Sequence, residues 1–361
     1  MQNSTLYKRI YNFLLELIQA NRSIPNFKLP SERALALKFN ASRRPVQLAY
    51  EKLTEQGYVE TIHGKGYFIK NSPDEQNAVA QIQQELKIDF IAPSTKTAFM
   101  QQILSGLSRF CDEHLINLSI MISNDSTAKE KKLLQTSTLS DSKGIVLFPV
   151  DEEFFSEEVL KLSIGKYPLT IVDRCLPPLN LSFVTTDNYK AMVDAVQFLH
   201  KNNFKHIVFI TPPKSITTTT EERINGFNHG LFKYYGMAMA HNLLKLVGSV
   251  NDTALHEKTI AKFLKAHPET DVIITLGVHA PIVLATTAKL GISIPDQMKL
   301  MVFDDEFTRA ERRIYKPYVI QQDGESMGYL AAEALYNQIY GDMRVTIKKL
   351  PVHILDYSKR E

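Results

Sequence analysis

Residues 31–57, SERALALKFNASRRPVQLAYEKLTEQG, describe two short helices joined by a tight turn. Ser31 can cap the first helix, and after the Asn-Ala-Ser turn Ser42 can cap the second. Pro45 stands in the first turn of the second helix, where a missing backbone N–H costs nothing, and Gly57 ends that helix. The stretch therefore predicts two helices packed across a tight turn.

The residues on either side extend this unit. Upstream, apolar residues from Leu6 to Ile18 recur at helical spacing and form one stripe. Downstream, residues 58–62 and 67–69 read as two short strands around the turn HGKG, residues 63–66. Three helices followed by a hairpin make a winged helix-turn-helix, so we predict this fold for residues 1–70.

The charge of the chain is divided unevenly. Residues 1–70 hold 11 Lys and Arg against five Glu, a net charge of +6, whereas the remaining residues hold 31 basic and 34 acidic side chains, a net charge of −3. A basic first domain on a mildly acidic remainder is typical of a protein that binds a polyanion, although a solvated helix surface is the alternative.

Basic residues stand where a winged helix-turn-helix meets DNA. Arg43 and Arg44 open the third helix, whose N-terminus faces base edges, and arginine can read guanine or clamp a phosphate. In the wing, the glycines beside Lys65 allow close approach of the backbone to a DNA phosphate. A nucleotide-binding loop would need GxxxxGK[ST], and the sequence does not contain it. We therefore expect double-stranded DNA as the partner.

The segment LPSERALALKFNASRRPVQLAYEKLTEQGYVETIHGKGYFI resembles the GntR family of DNA-binding domains. The matching features are the LPSE-R opening, the S-R-x-P-V turn, the E-x-G-Y-V strand start and the G-x-G-x-F wing. Gln47 departs from the pattern, because an arginine is common there, and its base preference stays open. The resemblance implies DNA contacts by Arg33, Ser42, Arg43, Arg44, Gln47, His63, Gly64 and Lys65.

A change of composition separates two further regions. Residues 71–87 are rich in Gln, Asn and charge, so we predict an interdomain linker. From residue 88 to 361, apolar strands such as GIVLF and KLMVF alternate with helix-like segments. This alternation predicts an α/β domain with parallel sheets covered on both faces, and ligands of such sheets bind beyond the carboxyl ends of the strands.

Polar and aromatic side chains follow several of these strands. Carboxylates and amides can accept paired hydroxyl groups, while an aromatic ring covers the apolar face of a sugar, so the set indicates carbohydrate recognition. For each residue a structural role as a loop cap or ion pair is an equal alternative. Such residues after strands include Phe99, Asp173, Arg174, Asp187, Asn188, Asp304, Asp305, Gln322 and Asp323. From them we select Phe99, Arg174, Asp187, Asp304 and Gln322 as candidates.

Residues 88–361 resemble the LacI-type effector domain, which is built like the periplasmic sugar-binding proteins. DFIAPSTKTAFMQQILSGL, YPLTIVDR, EERINGF, VFDDEF and YVIQQDGESMG occur in the family's order. The resemblance implies a two-lobed, dimeric domain whose cleft is lined by Phe99, Arg174, Arg223, Asp304 and Gln322. We also expect Thr219 and Glu222 to form a capping box that aims the Arg223 helix into the cleft.

Two positions depart from this second family. Gly277-Val278 replaces an asparagine-aspartate pair, and Val302 replaces a glycine. His279 could supply the lost polar contact, although a structural role is the commoner one for a lone histidine. The lost pair favours a less hydroxylated monosaccharide, such as a pentose or a deoxy-hexose.

Together these features predict a sugar-responsive transcription regulator that binds an operator as a homodimer, and they favour a repressor over an activator. We expect no enzymatic activity, metal or cofactor, because no nucleophile–base pair or metal-ligand spacing occurs. Two cysteines without a CxxC pair and the lack of a membrane-spanning stretch favour the cytoplasm. The alternatives are an enzyme acting on a sugar and a DNA-binding protein whose body has lost sugar binding or senses a non-sugar ligand.

Overall fold

The structure is a computed structural model of the chain. It describes residues 2–21, 27–62, 65–70, 86–150, 156–174, 179–212, 218–236, 242–248 and 252–359. The chain divides into two compact units, Met1–Gln84 and Glu85–Glu361, called here the head and the body. The predicted linker lies largely outside the described residues, and its last two positions, Leu86 and Lys87, already belong to a strand of the body.

The head contains the predicted three helices and hairpin. Tyr50, on the third helix, is fully buried among aliphatic side chains from all three helices and both strands. The strands pair antiparallel, with Val59 opposite Ile69. The elements are α1 (Gln2–Asn21), α2 (Glu32–Lys38), α3 (Arg43–Glu55), β1 (Val59–Ile62) and β2 (Gly66–Ile69).

Local chemistry explains where the head's short helices begin and end. The Ser31 hydroxyl accepts a hydrogen bond from the backbone N–H of Ala34 at 3.2 Å, which caps α2. Ser42 occupies the N-cap position of α3 but its side chain makes no capping hydrogen bond. Gly57 follows α3 with φ of +80°, a left-handed conformation that favours glycine. The boundaries predicted from these residues are confirmed.

The body contains two six-stranded sheets, each covered by apolar clusters on both faces. The first sheet, in the order β13-β7-β6-β5-β3-β4, is wholly parallel. Its strands are β3 (Leu86–Ala92), β4 (Ile116–Ile122), β5 (Ile145–Leu147), β6 (Leu169–Val172), β7 (Ser182–Thr186) and β13 (Ile347–Leu350). The helices of this lobe are α4 (Ala98–Glu113), α5 (Thr127–Leu139), α6 (Glu157–Ile164) and α12 (Gly324–Ile339).

The second sheet has the order β14-β12-β11-β10-β8-β9, and only β14 runs antiparallel to its neighbour within the described residues. Its strands are β8 (Ile207–Thr211), β9 (Leu243–Lys245), β10 (Val272–Leu276), β11 (Lys299–Phe303), β12 (Tyr318–Gln322) and β14 (Val352–Asp356). The helices are α7 (Asn188–Lys201), α8 (Thr218–Tyr235), α9 (Thr253–Ala266), α10 (Ala280–Lys289) and α11 (Arg309–Tyr315).

The chain passes between the two lobes at three places within the described residues. It leaves the first sheet after β7 to form α7, returns after β12 to form α12, and passes directly from β13 to β14. The carboxyl ends of both parallel sheets therefore face a shared cleft, as the α/β pattern predicts. Among the described residues, no helix is both long and apolar enough to span a membrane.

Candidate functional site

A cavity of about 210 Å³ lies in the cleft between the lobes of the body. This is below the roughly 300–1,000 Å³ of pockets for drug-sized ligands, so it suits a small molecule. Segments that follow strands of both sheets contribute to its wall, together with the starts of α4 and α8. The lining comprises Thr97, Phe99, Phe148, Asp173, Arg174, Pro212, Thr219, Thr220, Arg223, Leu276, Gly277, Val278, Phe303, Asp304, Glu306 and Gln322.

Arg223 is the principal cation of this cavity. It projects from α8, is only 7% exposed, and its Nε donates a hydrogen bond of 2.7 Å to the Asn188 side-chain oxygen. Its guanidinium lies 4.0 Å from the centroid of the Phe303 ring. Burial lowers the pKa of Arg223, but the nearby carboxylates of Asp173 and Asp304 oppose that shift. Its Nη2 also donates a longer hydrogen bond of 3.5 Å to the Gln322 side-chain oxygen, so the guanidinium is fixed in place in the wall of the cavity.

Asp304 is the principal hydrogen-bond acceptor in the wall of the cavity. Its Oδ2 accepts a hydrogen bond of 2.7 Å from the Gln322 side-chain nitrogen, and the Gln322 oxygen accepts one of 2.6 Å from the Thr186 hydroxyl. The other carboxylate oxygen of Asp304, Oδ1, is buried and has no hydrogen-bond partner among the described residues. Burial raises the pKa of Asp304 to about 7, although Arg223 and the Gln322 amide counteract the shift. The site therefore holds a buried oxygen that a ligand hydroxyl can satisfy.

Arg174 and three aromatic rings form the rest of the charged and apolar wall of the cavity. Arg174 donates a hydrogen bond of 2.7 Å to the Pro149 carbonyl, and its Nε lies 3.8 Å from an Asp173 oxygen. The rings of Phe99, Phe148 and Phe303 are each less than a tenth exposed. A ligand in this cavity meets charged groups on its edges and apolar rings on its faces.

The structure brings together five of the seven ligand-binding residues predicted from the sequence: Phe99, Arg174, Arg223, Asp304 and Gln322. Asp187 is not in the lining, because its carboxylate caps α7 through the Lys190 backbone N–H at 3.0 Å. His279 is not in the lining either. It is buried beside His256, and burial lowers its pKa to about 4.

The structure also gives roles to residues outside the seven selected candidates. Asn188, which follows the same strand as Asp187, holds Arg223 through the hydrogen bond to its Nε. Asp173, Phe148 and Glu306 line the cavity, and the first two directly follow β6 and β5, the signal that identified the other candidates. The sequence offered no comparable signal for Glu306.

The capping box predicted at the start of α8 does not form. Thr219 lies inside α8 rather than at its N-cap, and the Glu222 carboxylate instead pairs with the Lys349 ammonium at 2.7 Å, so the predicted capping box is wrong. At Gly277, an added Cβ would lie 2.7 Å from the Asp304 carbonyl oxygen. A side chain at position 277 would therefore force the two strand ends apart, so this position favours glycine.

The head carries its predicted DNA-contact residues on an exposed surface. Arg33, Ser42, Arg43 and Lys65 are exposed, and Arg44 is exposed while its guanidinium lies 3.5 Å from a Glu51 oxygen. Gln47 is half-buried and donates a hydrogen bond to Glu32. His63 and Gly64 lie outside the described residues.

Comparison with known protein families identifies both units. The model of the gntR family of bacterial regulatory proteins matches residues 6–69, and that of the periplasmic binding protein domain matches residues 88–343, most of the chain. The chain belongs to the periplasmic binding protein family. Its head is a GntR helix-turn-helix domain, so the resemblances stated from the sequence are confirmed.

Several relatives of this protein are named as transcription regulators. The arabinose metabolism transcriptional repressor of Halalkalibacterium halodurans is 22% identical over 338 residues, which cover 91% of this chain and 89% of that protein. The HTH-type transcriptional regulator KdgR of Bacillus subtilis is 24% identical over 271 residues, which cover 73% and 76% of the two chains. The body has the fold of the transcription regulator CcpA of Lactococcus lactis, with a TM-score of 0.64 at 17% identity, covering 76% of this chain and 98% of that one.

These comparisons establish a transcription regulator rather than an enzyme. In the cavity, Arg223 is held by a hydrogen bond to Asn188, and Asp304 by one from Gln322. The part of the chain that the structure describes contains no group of three or more His, Cys, Asp or Glu side chains that could hold a metal ion.

Proposed function

We propose that the protein is a repressor of carbohydrate utilisation whose affinity for its operator is controlled by a monosaccharide bound between the lobes of the body. The observation that carries this proposal is the cavity with Arg223 and Asp304 on its polar edge and three phenylalanine rings on its walls. The names of the relatives, which include repressors of arabinose metabolism, support the sugar as the signal.

The chemistry of the cavity favours a monosaccharide with free hydroxyl groups. The Asp304 carboxylate can accept hydrogen bonds from two neighbouring hydroxyls, and Arg223 can donate to the oxygens of the same sugar. Gly277 and Val278 add no polar side chain at the end of β10, so the sugar meets fewer polar groups there. We therefore propose a pentose or a deoxy-hexose as the effector.

Isothermal titration calorimetry with a panel of pentoses, deoxy-hexoses and hexoses tests this choice. We expect one pentose or deoxy-hexose to bind at least tenfold more tightly than every fully hydroxylated hexose. A tight preference for a hexose would contradict the assignment, and heats from none of the sugars would remove the carbohydrate from the proposal.

The contacts across the cleft supply the means of switching. The Glu306 carboxylate, from the second lobe, accepts a hydrogen bond of 3.1 Å from the Ala98 backbone N–H at the start of α4 in the first lobe. The Lys349–Glu222 ion pair also joins β13 of the first lobe to α8 of the second. A ligand that binds one lobe arrangement more tightly shifts the population toward it, and residues 71–85 connect that change to the head.

The ionisation of Asp304 makes effector binding depend on pH. Because burial raises its pKa to about 7, this carboxyl gains a proton when the pH falls below 7, and a protonated carboxyl donates one of the hydrogen bonds it should accept. We expect the affinity for the sugar to fall below pH 7 with a slope that approaches about tenfold per pH unit. Calorimetry between pH 5.5 and 8.5 measures this slope. Asp304→Asn should bind more weakly with a flatter profile, and an equal slope in both proteins would contradict the role of Asp304.

We also propose that two copies bind one operator, as the single head of each chain requires for a palindromic site. The support is β4, an edge strand whose Ile120 is 49% exposed, and Leu115, immediately before this strand, is 65% exposed. Edge strands with exposed apolar residues favour pairing with a second chain. Sedimentation equilibrium should give a dimer, which Ile120→Glu weakens at least tenfold. A wild-type monomer at micromolar concentration would contradict this part of the proposal.

A further inference from the structure

Gln47 is the one predicted DNA contact that departs from the usual pattern, and the structure shows what holds its side chain. Its Nε2 donates a hydrogen bond of 3.2 Å to Oε2 of Glu32, the first residue of α2. The other carboxylate oxygen, Oε1, accepts a hydrogen bond of 2.7 Å from the Tyr67 hydroxyl on β2. One carboxylate therefore joins α2, the recognition helix α3 and the wing.

This arrangement fixes which end of the Gln47 amide faces Glu32. An ionised carboxylate only accepts hydrogen bonds, so the amide must turn its nitrogen toward Glu32 and its oxygen away. Burial, and then the hydrogen bond with Glu32, raise the pKa of Tyr67 to about 12, so its hydroxyl keeps its proton at neutral pH and occupies Oε1 as a donor.

The support for Glu32 is itself rigid. The Tyr67 ring stacks on the buried Tyr50 ring with centroids 3.7 Å apart and planes within 4° of parallel. The Tyr50 hydroxyl donates to the Pro30 carbonyl, immediately before the residue that caps α2. A side chain held by such a network loses little further freedom when it contacts a base.

After one amide N–H is used, Gln47 retains its oxygen as an acceptor and one N–H as a donor. Adenine offers the matching pair in the major groove, an acceptor at N7 and a donor at N6, whereas guanine offers two acceptors, N7 and O6. The Glu32 carboxylate next to Gln47 further disfavours guanine, because negative charge faces those acceptors. An arginine at position 47 would neutralise Glu32 and still have donors for guanine.

Resting on the proposed DNA-binding function of the head, we propose that Glu32 and Gln47 act as one base-reading pair that selects adenine over guanine at one position of each operator half-site. Gln47 contacts the base, and Glu32 is a positioning residue that sets the direction of its amide. The competing explanation is that the hydrogen bond only joins α2 to α3 and that Gln47 touches no base.

Selection of bound duplexes from a randomised library by the full-length protein distinguishes these explanations. We expect the wild type to enrich adenine at one position per half-site, with discrimination against guanine of about 5–150-fold, as one good bidentate contact provides. Gln47→Arg should change that position to guanine and leave the other positions unchanged. Glu32→Gln should reduce the discrimination at least fivefold, because an amide at position 32 no longer dictates which way Gln47 points.

The matched control is Gln56→Arg, the same substitution at the other end of α3, where Gln56 accepts a hydrogen bond from Tyr11. It should raise affinity for every sequence without moving a base preference. The base-reading pair alone would be overturned if Gln47→Arg selected the same bases as the wild type. It would also be overturned if the wild type already selected guanine at the position that Gln47 is proposed to read. If the wild type enriches no duplex, the DNA-binding function fails as well. Thermal midpoints of the variants confirm that each still folds.

Discussion

Arg223→Ala is expected to abolish the response to the effector while operator binding remains. Arg223 is buried, bonded to Asn188 and close to Asp304, so its removal leaves buried acceptors without their donor. Leaving a buried acceptor without its hydrogen-bond donor costs about 1–3 kcal/mol, and the loss of a charged donor costs more. Calorimetry should therefore show sugar binding weakened at least thirtyfold, and operator affinity should be the same with and without sugar.

Arg312→Ala is the matched control for this substitution. Arg312 lies in the same lobe and pairs with Asp305, the residue after Asp304, at 2.8 Å, but it does not line the cavity. Its loss should leave sugar affinity within about twofold of the wild type, as surface charge changes generally do. If Arg223→Ala still binds the sugar as tightly as Arg312→Ala does, the cavity is not the effector site.

Arg43→Ala is the second substitution with a large expected effect, on DNA instead of sugar. Arg43 is exposed at the first position of α3, and no carboxylate of the described residues lies within ion-pair distance of it. We expect a loss of about 1–3 kcal/mol in operator affinity with relaxed preference at one base position, because arginine reads base edges through a planar pair of donors. Fluorescence anisotropy with the operator and with single-base variants measures both effects.

Two variants separate base reading from the general attraction of charge. Lys65→Ala, in the wing, should weaken binding to all sequences alike. It should also lower the slope of log affinity against log salt concentration by about one, as expected for the loss of one phosphate contact. Lys52→Ala removes a charge near the end of α3, where the ammonium already pairs with Glu55, and should change little. A sequence-selective loss in Lys65→Ala, or an equal loss in Arg43→Ala on every duplex, would contradict these assignments.

The head could be predicted almost completely from the sequence because its signals are local. Ser31, Pro45 and Gly57 mark helix starts and ends through their own backbone chemistry, and the apolar stripe fixes which face is buried. The Glu32–Gln47 hydrogen bond could not be predicted, because it joins residues 15 positions apart through side-chain conformations that only packing selects.

The body was predictable where strands are buried and much less so at the sheet edges. β5 is a continuous apolar run, and β11 is one after its first residue, Lys299. β13 is largely exposed and carries two lysines in four residues, so nothing in its sequence marks it as a strand. The rule that ligands bind after strand ends selected residues that line the cavity, among them Arg174, Asp304 and Gln322. It could not distinguish Asp187, which caps a helix, from Asn188, which holds Arg223, because the two are adjacent.

The most direct test of the account is the operator affinity of the full-length protein with and without a saturating concentration of the sugar identified by calorimetry. An effector that couples to DNA binding typically does so by about 1–3 kcal/mol. We therefore predict an operator dissociation constant that changes by about 5–150-fold on addition of the sugar. Equal constants under both conditions, with calorimetry showing the cavity saturated, would contradict the claim that the body controls the head.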